Sequence, residues 1–191
     1  MSARIEIRRE PRPGDADRII AHHEAVYPPE YGVDAEFVRH VAASVHAAEA
    51  SGWPRERERV WIVEADGRHA GSLALTDEGE GTGVVRWFVI DAELRGTGIG
   101  GRMAGELVAE ARAAGYERLV LETFSDLRTA AHIYRSHGFE LVSSDPTPRW
   151  GRDDLTYQRY EVKLAPSADP DAAASRTAPP ESSGRPGILA A

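Results

Sequence analysis

The segment Leu94-Arg95-Gly96-Thr97-Gly98-Ile99-Gly100-Gly101 constrains this chain more than any other. It follows a largely apolar run, Val84 to Ile90, and precedes a stretch in which Ile99, Met103, Leu107 and Ala111 recur four apart beside Ala104 and Val108. The first pattern predicts a strand and the second an amphipathic helix that closes at Gly115. Glycines let the backbone turn sharply from strand to helix and aim successive N–H groups at one point, where the helix N-terminus adds partial positive charge. An anion site is the natural reading. Arg95 adds a permanent cation, which suits a pyrophosphate.

Other readings of the glycines exist. They could simply connect a strand to a helix. Gly96, Gly98 and Gly101 also satisfy G-x-G-x-x-G, with Glu122 about twenty residues on, as a dinucleotide fold asks. The context counts against that fold, which opens with this unit and continues through several parallel crossovers. Here three strands of hairpin character precede the unit and a single crossover follows. A nucleoside-triphosphate P-loop fails because no Gly-Lys-Ser/Thr follows.

Around this segment the pattern is mixed α/β (α+β). Alternation in Arg4 to Arg8 predicts a first strand, and Pro11 to Asp15 leads into a helix that Pro28-Pro29 should end near Tyr27. Asp34 can cap a second helix reaching Gly52. Val60 to Glu64 and Ala70 to Leu75 flank Asp66-Gly67, a favoured hairpin dipeptide. After the central helix come a strand at Arg118 to Glu122, a helix at Leu127 to His137, a strand at Gly138 to Val142 and a last strand near Leu155 to Leu164. Residues 1–164 are expected to form one domain. Residues 165–191, rich in Pro, Ala, Ser and Asp, are expected to be disordered, because they offer too little apolar surface to offset their ordering entropy.

Composition narrows the chemistry. The chain has 191 residues, no cysteine and a net charge of −8, so disulfides, thiolate metal sites and a cysteine nucleophile are excluded and nucleic acid is a poor partner. Its one lysine, Lys163, leaves no Schiff-base chemistry in the body of the domain. No apolar run approaches the roughly 20 residues of a membrane span, and the start of the chain lacks a secretory pattern, so a cytoplasmic protein is expected. The histidines show no metal-ligand spacing, and no metal is expected.

Arg95-Gly96-Thr97-Gly98-Ile99-Gly100 resembles the Arg/Gln-x-x-Gly-x-Gly/Ala motif of the GCN5-related N-acetyltransferases (GNAT). Ala130-Ala131-His132-Ile133-Tyr134-Arg135-Ser136-His137-Gly138-Phe139 is similar to their Ala-x-x-x-Tyr-x-x-x-Gly-Phe segment, and the likeness extends from about Arg4 to Leu164. It implies a mostly antiparallel central sheet of six to seven strands flanked by about four helices. It also implies acetyl-CoA as acyl donor, a small-molecule amine as acceptor with protein amines as another class, and a homodimer as a common assembly. Backbone groups of Phe88 and Val89 would pair with the pantetheine arm, Arg95 through Gly100 would hold the pyrophosphate, and Tyr134 would protonate the leaving thiolate. Leu127 stands where many members carry Asn, removing one side-chain contact to the coenzyme.

More narrowly, His23-x-x-x-Tyr27-x-x-Glu30-Tyr31-Gly32 together with Arg149-Trp150-Gly151-x-x-x-Leu155 resembles the acetyltransferase half of bacterial fusions with a MarR-type domain. Arg152 replaces their usual His. Tyr27, Glu30, Tyr31 and Trp150 are the candidate acceptor contacts, since carboxylate and aromatic groups suit an amine. Glu122, Glu30, His23 and an ordered water all compete as general base, with Glu122 dependent on strand register. A coenzyme-binding sensor without efficient turnover is the rival function.

Overall fold

Asp66 and Gly67 both adopt positive φ, 51° and 79°, the twist-matched two-residue turn that the dipeptide predicts. They join β2 (Arg59–Ala65) to β3 (Arg68–Asp77), and β4 (Thr82–Ile90) continues the meander. The structure is a computed structural model that describes residues 3–164; the tail expected to be disordered lies outside the described residues. The remaining elements are β1 (Ile5–Arg8), α1 (Asp15–Tyr31), α2 (Ala35–Ala50), a 3-10 turn (Ala92–Leu94), α3 (Ile99–Ala113), β5 (Arg118–Phe124), α4 (Arg128–Ser136), β6 (Glu140–Pro146) and β7 (Thr156–Lys163).

The seven strands form one sheet in the order β1-β2-β3-β4-β5-β7-β6. Every neighbouring pair is antiparallel except β4 and β5, which the α3 crossover makes parallel. Apolar side chains alternate across this sheet and build two cores. Val60, Ile62, Ala74 and Phe124 meet α1 and α2 on one face, while Val63, Leu73, Val85 and Leu121 meet α3 and α4 on the other.

The first helix runs past its two prolines to Tyr31, so it does not end near Tyr27. Proline removes one N–H each time, and in a last turn this costs little when another donor closes the end. Gly32, at φ 68°, supplies that donor to the Pro28 carbonyl at 3.0 Å. Asp34 caps α2 as its residue type predicts, accepting from the Glu36 N–H at 2.8 Å.

One irregularity shapes the centre of the sheet. On β3 Ser72 faces Val89 and Ala74 faces Arg86, so Leu73 alone opposes both Trp87 and Phe88. This β-bulge shifts the alternation by one, sending Trp87 to the α1/α2 core and Phe88 to the α3/α4 core. Trp87 takes φ 50°, a costly conformation for a bulky residue. Burial of its indole, the bond from its Nε1 to Ser44 Oγ at 2.7 Å and a bond from Ser72 Oγ to its carbonyl at 2.7 Å offset that cost.

Candidate active site

The bulge opens the sheet. β4 and β5 pair only through Thr82 to Val84 and Arg118 to Val120, and beyond Val84 the two strands diverge. The Trp87 to Ile90 half of β4 therefore has no ladder partner on its β5 side among the described residues. A strand edge facing a cleft presents backbone donors and acceptors to whatever enters, as Phe88 does here. Val89, expected to share that role, instead turns its backbone to β3: it pairs with Ser72, and two residues on the Asp91 N–H donates to the Ala70 carbonyl, so the alternation of the strand leaves Phe88 and Ile90 on the open side.

The glycine segment lies at the end of the same strand. Gly96 and Gly98 take φ 77° and 89°, and a Cβ on either would meet nothing within 4 Å, so open space fronts both. Gly98 is the N-cap of α3 and no side chain caps the first turn, which leaves its N–H groups for an incoming acceptor. Thr97 turns its hydroxyl back to the Leu94 carbonyl at 2.7 Å and stabilises the loop. Ile99 packs partly buried on the core. Gly100 serves packing instead: a Cβ there would lie 3.1 Å from Ile133 and 3.2 Å from Ile90.

Arg95 is already engaged. Its Nε donates to the Ile90 carbonyl at 3.1 Å, and both Nη groups donate to the Glu30 carboxylate at 2.6 and 2.9 Å. Glu30 sits on the last turn of α1, so this fork joins the glycine loop to the wall of the cleft.

Tyr134 lies on α4, 1% exposed, with its ring about 6 Å from those of Phe88, Phe139 and Tyr160. It borders a small apolar cavity of about 10 Å³ shared with Leu73, Phe88 and Leu107. Burial holds its phenol well above the ordinary range, so it carries its proton at neutral pH. Across the cleft the Tyr27 hydroxyl is also raised, first by burial and then by the nearness of Tyr134. The divergence of β4 and β5 thus brings the residues of α1 and α4 within electrostatic reach of each other.

Glu122 points to the α1/α2 side of β5. It accepts from the Tyr157 hydroxyl at 2.9 Å and from Arg159 Nη1 at 3.4 Å. The aromatic candidates are contiguous: Tyr27 stacks on Phe37 at 4.7 Å and neighbours Tyr31 at 5.5 Å, and Phe37 meets Trp150 at 5.1 Å. Tyr27 and Trp150 are each 1% exposed, whereas Tyr31 is half-buried, so of these three Tyr31 offers the cleft the most surface. His23 lies buried against Tyr27, and burial brings it down to about 4.

The sequence alone assigns no role to two residues: Tyr157, which it does not single out, and Arg152, which it marks only as a replacement for His. Tyr157 is the hydroxyl partner of Glu122, and only the β5–β7 register, which pairs Phe124 with Tyr157, brings them together. Arg152 donates from Nη1 to the Tyr31 carbonyl at 3.0 Å and to Asp126 at 2.5 Å, and from Nε and Nη2 to Asp154 at 2.9 Å. It ties the α1–α2 turn, the β5–α4 loop and the β6–β7 connection into one rim. Its place beside the Trp150-Gly151 pair was the available signal. Among the described residues no group of three or more His, Asp or Glu side chains is placed to hold a metal ion.

Residues 18–139 match the profile of the acetyltransferase (GNAT) family, well over half of the chain. The chain belongs to that family. The chain is 28% identical over 111 residues to an amino-acid acetyltransferase of Shewanella oneidensis, covering 58% of this chain and 24% of that protein. It is 36% identical over 86 residues to an IAA acetyltransferase of Azospirillum brasilense, covering 45% of this chain and 54% of that one. It thus spans about a quarter and about half of these curated relatives. Among solved structures it resembles an N-acetyltransferase from Staphylococcus aureus Mu50, with TM-score 0.66, 18% identity and coverage of 85% and 99% of the two chains. It also resembles a Salmonella typhimurium protein, assigned as an acetyltransferase and solved with acetyl-CoA, at TM-score 0.62 and 21% identity over 88% and 99%. At such identities the likeness speaks for the fold, and the seven-stranded sheet with four helices is that fold.

Proposed function

We propose that this acetyltransferase moves an acetyl group from acetyl-CoA to the amine of a small molecule, by direct attack while both are bound. One observation carries the reading. The cleft between β4 and β5 joins an uncapped helix N-terminus fronted by open glycines to an unpaired strand edge, which is the shape a pyrophosphate followed by an amide-bearing arm requires. The likeness to a structure that holds acetyl-CoA supports the choice of donor.

Bound acetyl-CoA supplies a thioester carbonyl that an amine can attack and a thiolate that must be protonated. Arg95 through Gly100 hold the phosphates, and the free edge at Phe88 holds the arm and stabilises charge on the carbonyl oxygen. Tyr134 keeps its proton at neutral pH and delivers it to the sulfur. Glu122, held by Tyr157, takes the proton from the amine directly or through one water. Tyr31, backed by Tyr27 and Trp150, walls the acceptor side. The two segments of the MarR-fusion resemblance meet there, with Arg152 Nη1 donating to the Tyr31 carbonyl at 3.0 Å.

An amino acid or similarly small amine is the favoured acceptor, in keeping with the name of one relative. The test is release of free CoA thiol from acetyl-CoA across amino acids, polyamines, aminoglycosides and peptides. Release with one class names the acceptor. Binding of acetyl-CoA with silence across the panel would return the sensor reading.

A further inference from the structure

We infer that the Glu30–Arg95 pair is a switch thrown by coenzyme phosphate, which releases Glu30 to meet the acceptor amine only after the donor has bound. The inference rests on the coenzyme site proposed above. Each nitrogen of the Arg95 guanidinium already donates one bond: Nε to the Ile90 carbonyl and the two Nη groups to Glu30. Yet Arg95 directly precedes Gly96, where open space and unbonded helix-start N–H groups make the anion site. A pyrophosphate seated there brings two negative charges against a guanidinium already paired with a carboxylate. Phosphate oxygens match the guanidinium fork as well as a carboxylate does and carry more charge.

The pair is open to exchange. The two side chains are 35% and 32% exposed, so neither is locked by packing, and an ion pair so exposed contributes little stability. The turn that carries Glu30 also lacks two helix bonds. Pro28 and Pro29 provide no N–H to tie it back to Glu24 and Ala25. Arg152 and Asp34 hold the base of the turn from the other side, through the carbonyls of Tyr31 and Trp150. The carboxylate is therefore free to move while its backbone stays against the cleft beside Tyr31. Once Arg95 turns to phosphate, the carboxylate next to Tyr31 is a counter-charge for a cation, and amine affinity becomes coupled to coenzyme occupancy.

Calorimetric titration of CoA and of inorganic pyrophosphate into the wild type, Glu30→Gln, Arg95→Gln and the double variant tests the switch. Loss of the competing carboxylate should tighten CoA binding about five- to tenfold in Glu30→Gln. The same change in the Arg95→Gln background should alter affinity less than twofold, because no pair is left to exchange. Weaker or unchanged CoA binding in Glu30→Gln overturns the switch and makes Glu30 a support for Arg95. Equal tightening in both backgrounds also overturns it, since that reports mere repulsion between Glu30 and phosphate. Glu30→Asp, too short for the bidentate fork, should shift CoA affinity in the same direction as Glu30→Gln and serves if the latter is unstable. Wild-type affinity stands apart as the readout of the site itself: absence of CoA binding removes the coenzyme site and the switch with it, whereas binding with no Glu30 effect removes the switch alone.

Discussion

Tyr157 donates its hydroxyl to Glu122 at 2.9 Å across the β5–β7 pair, fixing the carboxylate on the α1/α2 side of the sheet. Burial, and then Glu122 itself, raise the Tyr157 phenol, so the bond keeps its donor at neutral pH. If Glu122 is the proton acceptor, Glu122→Gln should lower turnover about 100-fold while CoA affinity changes less than twofold. Tyr157→Phe should cost only a few fold, because the carboxylate keeps Arg159 at 3.4 Å. Steady-state rates with titration calorimetry check both.

If Tyr134 is the proton donor, Tyr134→Phe should lower turnover about 10- to 100-fold with coenzyme affinity retained, since the ring still fills the space beside Phe88, Phe139 and Tyr160. A parallel fall in coenzyme binding would make the residue structural.

Gly98→Ala should cost about 1–2 kcal/mol of stability, because alanine is strained at φ 89°. It should also weaken CoA binding at least tenfold by placing a methyl group in the open space that fronts the helix start. Chemical denaturation and calorimetry separate the two effects. Gly100→Ala should act through stability instead, by crowding Ile133 and Ile90.

Acid should destabilise the fold through His23 and His69. Burial is the first cause of depression in both, and each falls from 6.5 to about 4. Further effects come at His23 from the Ile19 carbonyl, His22 and His69, and at His69 from His22, Asp15, Asp91 and Arg18. The unfolded chain binds these protons more readily than the folded one. The stabilisation is thus complete above about pH 6.5 and is lost as pH falls through about 4. For the fully buried His23 the loss is on the order of 3 kcal/mol. Urea midpoints measured from pH 7 to 4 should fall steeply, and His23→Gln should flatten the slope.

Much of the architecture is legible residue by residue. Asp66-Gly67 can hardly be anything but a tight hairpin turn, the four-residue recurrence from Ile99 to Ala111 requires a helix, and Gly-x-Gly before that helix requires an open N-terminus. The end of α1 was not legible, because proline's local rule yields to a cap from Gly32 that closes the last turn.

The sequence by itself determined the elements, their order and the glycine turn that opens α3, because those depend on local backbone preference and periodicity. Only the tertiary structure decided the site. The bulge at Trp87 opens β4 from β5 and changes which face Phe88 and Trp87 occupy, the β5–β7 register pairs Glu122 with Tyr157, and the packing of α1 sets Glu30 on Arg95, sixty-five residues away. Register, bulges and long-range ion pairs arise from how finished elements meet, and no short window of residues encodes that meeting.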